Sequence, residues 1–178
     1  AERLAATARR MGMGEEDAEA VVHAFRLAMR PRIERLEDEH HPDFLHPARI
    51  AMILMDDAGV NAPEVVAAGI LTETRDPGLA VELQALEEGA GAAAELSAIT
   101  LELLRRLPTP AVEGERLLEA LLESPLTVRL IALAERLDHS RHLHLRGEEE
   151  WAPYHALSCE VYAPLATVTD PTFDRRYR

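Results

Sequence analysis

The sequence predicts an all-α fold, a compact multi-helix bundle, and three observations carry that expectation. Apolar residues recur with a helical period nearly everywhere, and no segment sustains the alternation of a half-buried strand. Ala, Leu, Glu and Arg dominate while aromatics make up only 4%, a mixture that loses little side-chain entropy in helices. Gly and Pro fall between the periodic stretches and punctuate them. With 178 residues, 47% of them hydrophobic, the chain is long enough to bury a core, and one domain over 1–178 is the natural expectation.

The elements follow in order. A first helix spans residues 2–11 and is broken by Gly12 and Gly14. A second starts at Glu15, where three consecutive acids suit the positive end of a helix dipole; Pro31 bends or ends it, with 32–37 continuing as a further turn. Residues 37–43 are polar and read as a loop. Pro47 opens the next helix, which reaches about Ala58 before Gly59 stops it. Asn61 and Glu64 read as a capping pair around Pro63, and the run from 65 to 71 is apolar on every face, as a central helix would be. Further helices are expected over 79–87, 92–107, 113–123, 126–143 and 151–162, separated by Pro108, Pro110 and Pro125.

Composition excludes several functions. All 19 basic residues are Arg, so Schiff-base chemistry and a phosphate-loop lysine are absent. A net charge of -13 argues against a DNA- or RNA-binding surface, although a small anionic ligand needs only a local basic pocket or a metal. The lone cysteine, Cys159, allows no internal disulfide and reads as a packing residue on an apolar helical face. No signal-peptide pattern and no bilayer-length apolar run stand out, so a cytoplasmic protein without membrane contact is expected.

Three places put ionisable groups where a plain bundle does not need them. His46 precedes Pro47 at a helix start, and Thr72-Glu73 follows the apolar run directly. Glu135 shares one helical stripe with Val128, Ile131 and His139, which turns it inward or toward a cleft while Arg129 and Arg136 face water. One imidazole and two carboxylates from three helices would suit a divalent Mn, Fe or Zn ion. The competing reading pairs Glu73 and Glu135 with arginines such as Arg75, Arg136 or Arg141. The histidines His40, His41, His142 and His144 read as surface groups, and Met11, Met13, Met52 and Met55 as core filler.

Four segments carry a resemblance: Pro42-Asp43-Phe44-Leu45-His46-Pro47, the run from Ala67 to Asp76, the run from Val128 to Arg141, and Tyr162-Ala163-Pro164-Leu165-Ala166. In this order they resemble the hydrolase (HD) domain of RelA/SpoT homologues, which removes pyrophosphate from the alarmone (p)ppGpp. The resemblance implies an all-α HD-type fold and a Mn-dependent site whose ligands are a His, a His-Asp pair and a later Asp. Those positions fall here on His46, Thr72, Glu73 and Glu135. The family's Asn after the late Asp region falls on His139, which could supply the nitrogen that Thr72 does not.

The carry-over also places Asp76 beside the attacking water, followed by Pro77 where the family has a second acid. Arg32 and Arg35 occupy the region of the family's basic nucleotide pocket, and Thr72 and Arg141 are further ligand-contact candidates. The expected partner is a small phosphorylated nucleotide, with homo-oligomerisation or a regulatory protein partner left open. Two readings follow. One is an HD-type domain of the pyrophosphohydrolase kind whose hydrolysis is lost or altered and which binds nucleotide phosphate or regulates. The other is an active metal-dependent phosphohydrolase with a rearranged metal site, in which Asp76 orients the water.

Overall fold

Every regular element among the described residues is helical, and none of them is a strand. The computed structural model describes residues 1–35, 44–72, 98–107, 114–145 and 147–178, apart from the side chains of Pro31, Glu34, Arg35 and Ala98. Their contacts group into two compact units, Ala1–Arg105 and Arg106–Arg178. None of these helices is long and apolar enough to cross a membrane. The expected helix over 79–87 and the loop over 37–43 lie outside the described residues.

The first unit begins with α1 (Glu2–Arg10), which buries Leu4, Thr7 and Ala8 on one face. Gly12 adopts a φ of 88° that ends it. Helix α2 (Glu15–Arg35) opens on its three acids and runs through Pro31, so of the two outcomes expected there the helix does not end. A proline deletes one backbone hydrogen bond, but α2 packs against both α1 and α4, and tertiary burial dominates helix stability. Helix α3 (His46–Met52) widens into a π-type turn at Ile53–Asp57, and Arg10 of α1 pairs with Asp56 there.

Helix α4 (Pro63–Ile70) is the central one. Val65 to Leu71 are all buried, as the apolar run implied. The capping reading does need correction: the N-cap is Ala62, with no side-chain cap bond, rather than Asn61. Pro63 takes the first helical position and pushes the residue before it into extended geometry, which makes residue 62 the boundary. Helix α5 (Ala98–Arg106) follows, and the hydroxyl of Thr100 donates to the Glu64 carbonyl at 3.4 Å.

Gly69 is where α4 meets α3. A Cβ there would lie 2.5 Å from Leu54 Cδ1 and 3.1 Å from Ile50 Cγ2, both on side chains that are fully buried. Alanine gains about 1 kcal/mol of helix propensity over glycine. Overpacking a closed core costs about 1–3 kcal/mol, so Gly69→Ala should be destabilising on balance. A lowered urea midpoint at unchanged slope is the expected result.

The second unit is built on α7. Helix α6 (Glu115–Glu123) buries Leu117 and Leu121, and α7 (Leu126–His142) buries a broad face from Val128 to Asp138. A short 3-10 turn at Leu143–Leu145 closes α7. Helix α8 (Glu148–Leu157) starts on the acidic run, continues through a π-type turn at Ser158–Tyr162, and passes directly into α9 (Ala163–Thr169). That wide turn changes the phase of the apolar stripe, so Val161 and Tyr162 are buried while Cys159 is exposed. The expectation that Cys159 packs inside is therefore wrong.

A last helix, α10 (Pro171–Tyr177), was not anticipated. Its signal was present in the sequence. Asp170 caps it, with Oδ1 accepting from the Thr172 and Phe173 amides at 2.8 and 3.0 Å, and Pro171 sits at the first helical position. Phe173 then anchors α10 inside this unit, and the Tyr177 hydroxyl donates to the Leu133 carbonyl at 2.8 Å.

Candidate metal centre

The leucine and alanine face of α7 holds the helix in its unit, which leaves Glu135 and His139 one turn apart at the margin of that buried face. Their side chains are 34% and 19% exposed, and His139 Nε2 stands 4.0 Å from Glu135 Oε1. Glu135 therefore lies at the edge of the buried face of α7 rather than inside it. Glu135 thus has His139, one turn on along the same helix, as its neighbour.

Arg136 departs from expectation. Its charge and helix position predict exposure to water, yet it is only 9% exposed. Its guanidinium carbon lies 3.2 Å from the centre of the Tyr154 ring and 5.1 Å from that of Tyr162. Nε donates to Ser158 Oγ at 3.0 Å and Nη2 donates to the Tyr154 carbonyl. A planar guanidinium stacks on aromatic faces while its edge N–H groups remain free to bond, which is how an arginine tolerates this burial.

His46 opens α3, with Pro47 behind it, and its side chain is fully buried. Among the described residues, His46, Glu135 and His139 are a possible metal-binding triad. The donor set is two imidazole nitrogens and one carboxylate oxygen, which suits Mn, Fe or Zn. Two ligands held at about 2.1 Å from one ion can be at most about 4.2 Å apart. The separation between Glu135 and His139 already meets this limit.

The other candidates divide. The Thr72 hydroxyl donates to the Gly69 carbonyl at 3.1 Å, so it turns back on its own helix. Arg32 is buried within α2, and Arg141 is exposed on α7. Glu73, Asp76 and the Arg35 side chain lie outside the described residues.

Sequence reasoning overlooked Tyr154. It lies four residues before Ser158 and eight before Tyr162, a spacing that points all three at one neighbour across the helices. Its ring is parallel to that of His139, with centroids 6.3 Å apart and an interplanar angle of 1°. Beside it, His142 Nδ1 lies 2.8 Å from the Asp138 carbonyl oxygen and 3.4 Å from its buried carboxylate. No protein-family model, no curated protein and no solved structure matches the chain.

Proposed function

We propose that this chain is an HD-type domain that holds a divalent metal through His46, Glu135 and His139 and uses it to bind a phosphorylated guanine nucleotide of the (p)ppGpp kind. The observation that carries the reading is the triad itself. It includes His139, the residue to which the resemblance assigns the nitrogen that Thr72 does not provide. A net charge of -13 leaves a phosphate group few attractive surfaces, and a bound cation is the economical way to offset that field.

A bound divalent ion would polarise a phosphate oxygen and acidify a water. The chain's own contribution is to fix the ligand atoms. His46 is immobilised by burial, and Glu135 brings the negative charge that neutralises part of the ion's. Thr72 spends its proton on its own helix, so it offers a neutral lone pair and no imidazole. Loss of an imidazole ligand favours holding nucleotide over hydrolysing it, which makes binding or regulation the leading reading. The triad also supports a second reading, an active pyrophosphohydrolase with a rearranged metal site in which Asp76 orients the water.

One experiment separates them. Protein loaded with Mn²⁺ is titrated with ppGpp while the melting temperature and released pyrophosphate are followed. A melting temperature that rises with nucleotide only when Mn²⁺ is present, without pyrophosphate release, supports the binding domain. Release that stops on chelation supports the hydrolase. Absence of any Mn²⁺-dependent response to ppGpp overturns both.

A further inference from the structure

Three features of the second unit outside the triad invite a role: the His142–Asp138 pair, the exposed Cys159 thiol, and the Tyr154–Arg136–Tyr162 stack. The last is carried furthest by geometry. Tyr154 touches two consecutive turns of α7 at once. Its hydroxyl donates to the Arg136 carbonyl at 3.2 Å, its ring covers the Arg136 guanidinium, and the same ring lies parallel to His139.

The contacts form a closed loop between α7 and α8. Arg136 Nε donates to Ser158 Oγ, and Ser158 Oγ donates to the Tyr154 carbonyl at 2.9 Å. Tyr154 in turn donates back to the Arg136 carbonyl. Tyr154 is thus held at its backbone carbonyl and by its ring face on Arg136, with its hydroxyl bonded as well, and its ring forms a wall. His139 is 19% exposed, and an imidazole at the edge of a helix rotates about χ2 unless a neighbour limits it. A parallel ring beside it selects one imidazole plane, and in that plane Nε2 faces Glu135 at 4.0 Å.

We propose that Tyr154 is a positioning residue: through its stacked ring it holds the His139 imidazole in the plane that presents Nε2 to a metal shared with Glu135. The inference rests on the metal-site reading above. Groups that orient a ligating histidine typically change metal affinity about 10- to 100-fold when removed. The contact that Tyr154 makes with His139 is a ring face, so the aromatic ring should matter and the hydroxyl should not.

The test uses Co²⁺ alone, whose visible d–d absorption reports both affinity and ligand geometry. Wild type should bind Co²⁺ with a visible band, and His139→Ala should lose it. Tyr154→Phe, which keeps the ring, should stay within about twofold of wild type. Tyr154→Leu should bind about tenfold more weakly, with a shifted band and an unchanged far-ultraviolet circular dichroism spectrum. If the leucine variant does not fold, Tyr154→Met, whose flexible chain fills the same space, takes its place. Unchanged affinity and band in the ring-less variant, with His139 still required, overturn this inference and leave the metal site standing. Absence of Co²⁺ binding by wild type overturns the metal-site reading and this inference with it.

Discussion

Alanine at His139 should lower Mn²⁺ affinity by at least about a hundredfold while leaving the fold intact, and alanine at His46 or Glu135 should do the same to the metal. The magnitude follows from what a ligand contributes. Closed four-ligand zinc sites bind with about 10–16 kcal/mol, roughly 3 kcal/mol per ligand, and 1.4 kcal/mol is a factor of ten. With three ligands in the triad, losing one leaves two. The competing reading predicts something much smaller. If Glu135 and His139 are only a helical ion pair one turn apart, removing one partner costs about 0.3–0.5 kcal/mol of stability and changes no metal binding. Calorimetric titration with Mn²⁺ and a urea melt on the same variant separate the two: large loss of affinity with a small change in stability marks a metal site, and the converse marks a surface pair. His46→Ala needs the melt most, because that side chain is fully buried and its removal also opens space in the first unit.

The helical class, the central α4 and the inward stripe of α7 were legible because each rests on periodicity, and burial acts on periodicity directly. An apolar run with no polar face has nowhere to go but the core, and α4 went there. The stripe that carries Glu135 and His139 follows from counting residues along a helix. Arg136 was read wrongly for an instructive reason. Charge and position on the helix pointed it to water, but its partners, Tyr154 and Ser158, lie 18 and 22 residues away, a separation that no local pattern encodes. Cys159 failed in the opposite way: a π-type turn added a residue to the helix and rotated the stripe past the thiol. The α3 helix end shows the same effect, since the wide turn at Ile53–Asp57 lies inside a segment that reads as uniform. Pro31 shows that a breaker is only a local vote, which packing on α1 and α4 outweighs in α2. For the site, spacing could nominate His46, Glu135 and His139 one by one, but only the folded chain could show the distance between the Glu135 and His139 donor atoms.

Tyrosine ionisation should be nearly silent in the folded protein up to pH values where ordinary tyrosines are mostly ionised. The sequence has three tyrosines, Tyr154, Tyr162 and Tyr177, and all three belong to the second unit. Burial pushes each phenol up, and it is the largest cause in every case. The negative charge of Glu135 adds to it at all three, while the Arg136 guanidinium opposes it. Tyr162 and Tyr177 also stack, with centroids 6.5 Å apart, so an anion on one would face the ring of the other. The consequence for stability has a definite sign. A phenol whose folded pKa is raised binds its proton in the fold while the unfolded chain releases it above about pH 10. The stabilising packing is therefore fully present below that pH and is lost as pH rises toward the folded values. Each tyrosine held protonated in this way removes about 1.4 kcal/mol of stability per pH unit above about pH 10, so three together drive a steep alkaline unfolding. Tyrosinate absorbance recorded during an alkaline titration should stay near zero and then appear for all three residues together with loss of helical circular dichroism. The same titration in urea should show ordinary ionisation near pH 10. A single tyrosine that ionises normally in the folded protein would mean that α8, α9 or α10 does not cover it, and if that residue is Tyr154, the wall beside His139 goes with it.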